Sequence, residues 1–69
     1  MKKYVINLAK RIGTNVIDSL YLNTYDNREE WQNNICVMMN ALIKVLPINT
    51  SVKVDYRSRD EFVYATIEY

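Results

Sequence analysis

Between Asn27 and Leu46 the chain reads NREEWQNNICVMMNALIKVL. At 100° per residue, Val45, Met38, Trp31, Leu42, Ile35, Leu46 and Met39 fall on one arc, and Asn33, Asn40 and Lys44 lie opposite. That pattern predicts an amphipathic helix. Asp26, with Glu29 three residues on, fits a capping box at its start, and Lys44 suits the negative end of the helix dipole. Pro47 cannot continue the helix and disfavours it at Leu46. Cys36 and Ile43 lie beyond the arc, and Val37 falls near the polar side. The apolar surface is wider than a small sheet covers, which leaves room for a partner or a second copy of the chain.

The flanking segments alternate with period two instead. Tyr4, Ile6 and Leu8 alternate with Val5, Asn7 and Ala9, predicting a half-buried strand over Lys2 to Ala9. Arg11 to Asn15 reads as a turn, with Gly13 supplying a permissive backbone. Val16 to Asn23 reads as a second strand with Val16, Leu20 and Leu22 inward, although Asp18 interrupts the inner row. After a loop at Pro47–Thr50, Val52 to Arg57 alternates cleanly. Ser58 to Glu61 has turn character, and Phe62 to Tyr69 sets Val63, Ala65 and Ile67 against Phe62, Tyr64 and Thr66. The expected fold is α+β, a single domain over 1–69. It is ordered β-β-α-β-β, a four-stranded, mainly antiparallel sheet with one helix packed on one face.

A competing reading exists for the N-terminal third. Val5, Leu8, Ala9, Ile12 and Val16 also sit at helical spacing, and Leu8 to Gly13 has the small-residue and glycine pattern of a helix-turn-helix. With the last two strands as a wing, this would be a DNA binder. Against it, Ser19 falls where the second helix needs an apolar residue.

Composition narrows the chemistry. The 69 residues include no His, one Cys and one Gly, so histidine-based catalysis, a CxxC site and a glycine-rich phosphate loop are all missing. Glu29-Glu30 is accounted for by the helix start and Asp60-Glu61 by a turn. The expectation is a protein that is not an enzyme and uses no cofactor and no metal. Net charge is +1, which gives no general case for nucleic-acid binding, although Lys2, Lys3, Lys10 and Arg11 make the start locally basic. The lone Cys36, expected to be buried in the helix, suits a reducing, cytoplasmic setting. No segment is long and apolar enough to suggest a membrane span.

What remains is a binding surface. Six Tyr, one Trp and one Phe are a generous aromatic supply. If the helix covers one sheet face, the other presents Lys53, Asp55, Arg57, Phe62, Tyr64 and Thr66, with Tyr21 beside them. The candidate partner-binding residues are Tyr21, Lys53, Arg57, Phe62 and Tyr64. Aromatics flanked by cations anchor protein interfaces or stack on single-stranded bases, and on a solvated sheet they simply pack across strands.

Trp31, Asn40-Ala41-Leu42-Ile43-Lys44 and Val52-Lys53-Val54-Asp55, with the order of elements, resemble small early proteins of T-even-like phages, in particular the Dmd antitoxin family. The similarity covers about half the chain. It implies a non-catalytic, phage-encoded inhibitor that docks on a host toxin or defence nuclease in the host cytoplasm. A homodimer and a small nucleic-acid binder remain the alternatives.

Overall fold

The computed structural model describes every residue except Met1 and Thr14, and within the second strand it leaves aside the side chains of Val16, Ile17, Asp18, Tyr21 and Leu22. Strand β1 (Lys3–Ile12) and β2 (Asn15–Tyr25) precede helix α1 (Arg28–Val45), and β3 (Lys53–Arg59) and β4 (Phe62–Glu68) follow it. The β-β-α-β-β order is as the periodicities predict. The four strands form one sheet in the order β2-β1-β4-β3.

The two hairpins are antiparallel, and they join through a parallel pairing of β1 with β4 at the centre. The helix dictates this. Eighteen residues rise about 27 Å, so α1 carries the chain back from the end of β2 to the opposite end of the sheet. There β3 begins, with Lys53 opposite Glu68. Strand β4 must then run alongside β1 in the same direction.

The turn expected at Arg11–Asn15 is tighter than its composition suggests. Both strands extend into it until Ile12 pairs with Asn15, and Gly13 adopts φ +63°, a conformation that L side chains rarely take. Leu8 to Ile12 therefore lie in a strand, which removes the helix-turn-helix reading. The second strand departs most from expectation. Its register against β1 shifts between Ile6 and Asn7 and again between Lys10 and Arg11. Each shift inserts one residue and changes which residues share a face. Leu20 stands opposite Leu8, yet it is 57% exposed, because it lies on the edge strand, beyond the helix. The inward placement expected for Val16 and Leu22 lies outside the described side chains.

The helix begins one residue later than Asp26 implies. Asn27 is the cap: its side-chain oxygen accepts from the backbone N–H groups of Glu29 at 2.8 Å and Glu30 at 3.2 Å. Asp26 instead pairs with Lys3 Nζ, and Asn is as good a cap as Asp. Leu46 closes the helix in an extended conformation, as a residue before proline prefers.

The core lies between α1 and the sheet. Ile6, Trp31, Ile35, Ala65 and Ile67 are buried there, with Tyr4, Leu8, Met38, Met39, Leu42, Val54 and Val63 packed around them. The Trp31 ring leans on Tyr4 at 5.1 Å and meets Tyr56 edge-on at 5.9 Å between centroids. Its indole N–H donates to the Val5 carbonyl at 3.0 Å, fixing the helix across β1. Cys36, expected to be buried, is exposed. It lies about 140° around the helix from Trp31, on a flank that the four-stranded sheet does not reach. Val37 and Ile43 are likewise exposed, and so is Val45, at 77%, although its spacing puts it on the inner arc: it is the last helical residue and lies beyond the buried cluster around Trp31 and Ile35.

Candidate functional site: the helix-free sheet face

Alternation along β3 and β4 sends Lys53, Asp55, Arg57 and Arg59 to the same face as Phe62, Tyr64, Thr66 and Glu68. The register places Arg57 opposite Tyr64, Arg59 opposite Phe62 and Lys53 opposite Glu68. On the other side of β4, Lys3 stands opposite Phe62, Val5 opposite Tyr64 and Ala9 opposite Glu68. All are on the side away from α1. Four of the five residues singled out from the sequence, Lys53, Arg57, Phe62 and Tyr64, thus share one face of two adjacent strands. For Tyr21 the backbone pairs with Asn7, which belongs to the same face, but its side chain lies outside the described ones.

The aromatic pair is organised. Phe62 and Tyr64 lie two positions apart on β4, and their rings stack at 5.9 Å with 30° between planes. Phe62 is 40% exposed. Val5 and Ala9 are buried at 3% and 2% although no helix covers this face. Val5 is flanked in register by Thr24 and Tyr64, so the rings and neighbouring side chains themselves keep water from the central strand.

The cations are less free than the sequence suggests. Arg57 Nε donates to Asp55 Oδ2 at 3.1 Å. Glu68 accepts from Arg11 Nη1 at 2.8 Å and sits 3.6 Å from Lys53 Nζ. That carboxylate is only 12% exposed and the Arg11 side chain 22%, whereas Lys53 reaches in from solvent. Arg59 is in no ion pair among the described residues. The face therefore has a structured end, Arg11–Glu68–Lys53, and an open end, where Arg57 and Arg59 flank the two rings.

Sequence reasoning missed Arg11, Glu68 and Arg59 as members of this surface. Glu68 continues the Phe62-Tyr64-Thr66 row and was legible by parity alone. Arg11 was hidden because it was assigned to a turn, and only the central parallel pairing of β1 with β4 brings it to the end of β4.

Among the described residues, no group of three His, Cys, Asp or Glu side chains is placed to hold a metal ion, and no helix is long and apolar enough to cross a membrane. The surface offers stacking, cation-π contact and charge-assisted hydrogen bonding. No family model, curated protein or solved structure matches the chain.

Proposed function

We propose that this protein is a non-catalytic binding domain that docks on another protein through its helix-free sheet face. Phe62 and Tyr64 are the anchors, and Arg57 and Lys53 supply polar contacts beside them. The single observation that carries this reading is the stacked Phe62–Tyr64 pair, uncovered by any helix among the described residues and faced by Arg57 and Arg59 across the ladder. Aromatic side chains concentrate at interface hot spots because they bury a large area with few torsions to freeze, and arginine joins them because its planar guanidinium offers five donors in a fixed fork. The resemblance to phage antitoxins supplies the class of partner: a host toxin or defence nuclease, bound and blocked in the cytoplasm.

Affinity capture from host lysate, with and without nuclease treatment, tests the reading. Capture of a discrete protein that survives nuclease, and is lost with Tyr64→Ala and with Arg57→Ala while circular dichroism is unchanged, supports it. Undiminished capture by both variants removes this surface. The second reading, single-stranded RNA on the same face, draws on the excess of Lys3, Arg11, Lys53, Arg57 and Arg59 over Asp55 and Glu68. It requires affinity that falls steeply with salt and capture that nuclease abolishes.

A further inference from the structure

The main chain of α1 runs close to β1, β2 and β4 but not to β3. The gap on the β3 side is a cleft of about 430 Å³, within the size range of small-molecule sites. Register builds its floor. Tyr4, Val63 and Ser58 stand side by side across β1, β4 and β3, and Tyr56 shares the face of Ser58, two positions along. Trp31 closes the bottom, tilted against Tyr4 and edge-on to Tyr56. Arg28 and Gln32, four residues apart on one flank of α1, form the helix wall, and Lys2 completes the rim.

The polar side chains around this cleft are uncommitted. Lys2 and Arg28 enter no ion pair among the described residues, whereas Lys3, Arg11, Lys53 and Arg57 each do. The hydroxyls of Tyr4, Tyr56 and Ser58 and the Gln32 amide make no hydrogen bond among the described residues. No carboxylate lines the cleft. Trp31 points at the sheet, which turns Glu29, about 160° around the helix, away from it and sends Glu30 to the flank opposite Gln32. Asp26 is held by Lys3. Two cations thus border an aromatic wall with nothing negative to meet them.

We infer that this cleft binds a nucleoside monophosphate. Tyr56 is 58% exposed, which leaves ring surface free, and an aromatic side chain stacks on any base because every base has a π-face. The Gln32 amide carries both donors and an acceptor, and the Ser58 hydroxyl can act as either. Both suit the mixed donor and acceptor edge of a base or the hydroxyls of a ribose. Lys2 and Arg28 supply the charge for the phosphate, with the Arg28 guanidinium offering a fork that matches its oxygens.

Simpler ligands leave part of the cleft unused. Inorganic phosphate engages the two cations and ignores the rings, a nucleoside does the reverse, and phosphotyrosine has no polar ring edge for Gln32 and Ser58. The other cleft that holds cations, between Arg11 and Lys53, already contains Glu68, which pairs with both. The nucleotide cleft lies on the helix-bearing side of the sheet, away from Phe62 and Tyr64, so it is independent of the proposed docking face and both can be occupied at once.

An NMR titration of the whole chain with adenosine, guanosine, cytidine and uridine monophosphate tests the site. Trp31 is the only Trp, so its indole N–H is a single marker at the bottom of the cleft, and the Gln32 side-chain amide marks the wall. The expected result is saturable shifts of both with at least one nucleotide, at a dissociation constant below about 1 mM. Inorganic phosphate, the matching nucleoside and phosphotyrosine should each bind at least tenfold more weakly. Lys2→Gln combined with Arg28→Gln should weaken binding at least tenfold, and Tyr56→Leu should do the same by removing the stacking face. Lys44→Gln, which removes one charge about 24 Å along α1 from Arg28, should change nothing. Lys2 and Arg28 are exposed, so the double variant folds and decides the matter even if Tyr56→Leu does not. No shift at about 1 mM nucleotide, phosphate or phosphotyrosine binding as tightly as the nucleotide, or affinity indifferent to the Lys2 and Arg28 changes would each overturn the inference.

Discussion

The Trp31 indole N–H donates to the main-chain carbonyl of Val5 at 3.0 Å, and both residues are 3% exposed. One hydrogen bond therefore fastens the first turns of the only described helix to a central strand. It does so one residue before the β1–β2 ladder shifts register at Ile6/Asn7. The same side chain packs against Tyr4 and Tyr56, so Trp31 links β1, α1 and β3.

Trp31→Phe keeps most of the packing and removes the donor. It should destabilise the fold by about 0.5–1.5 kcal/mol, the net contribution of a hydrogen bond. Trp31→Ala should cost about 3–5 kcal/mol through the added cavity, enough to leave a domain of this size largely unfolded. Urea titration followed by circular dichroism measures both, and equal midpoints for Trp31→Phe and wild type would refute the role given to the hydrogen bond.

Asn27, rather than Asp26, caps α1. Asn27→Ala should lower stability by about 1 kcal/mol, a fall in Tm of roughly 4–8 °C for a domain of this length. Asp26→Ala removes an exposed pair with Lys3 and should shift Tm less, with a difference that shrinks as salt is added. Thermal melts at two ionic strengths separate the cases. A larger loss for Asp26→Ala would return the cap to that residue.

Glu68 joins Arg11 to Lys53 at the end of the helix-free face. Glu68→Gln should cost about 1–3 kcal/mol, because it leaves the largely buried Arg11 guanidinium without its charged acceptor. Arg11→Met should cost less in the Glu68→Gln background than alone, and a double-mutant cycle reads that coupling. Strictly additive effects would show the contact to be energetically idle.

Gly13 takes φ +63°, and a Cβ added there would meet nothing within 4 Å. Gly13→Ala therefore carries only the conformational cost, about 1–2 kcal/mol. Gly13→Asn should cost less, since Asn tolerates this region better than most residues. Equal stabilities for the two variants would mean that the turn relaxes to another form.

The neighbours of Phe62 and Arg57 are legible in the sequence alone. Strict alternation in both strands of the second hairpin fixes which side chains share a face, and one hairpin needs no tertiary information to do so. The long arc from Trp31 to Leu46 was legible for the same reason, since a 3.6-residue period over twenty residues admits no strand. Cys36, Leu20 and Arg11 were not. Cys36 and Leu20 are exposed because the sheet is four strands wide and the helix sits over its middle, a limit of width that no local pattern encodes.

The chain by itself determined its elements and their inner and outer rows, because period and parity are properties of consecutive residues. Tertiary structure alone decided that the hairpins join through a parallel β1–β4 pairing, which sets Arg11 beside Glu68 and leaves β2 at an edge. It also decided which bulges displace the second strand. Both depend on where the returning helix deposits the chain, a distance measured through space and not along the sequence.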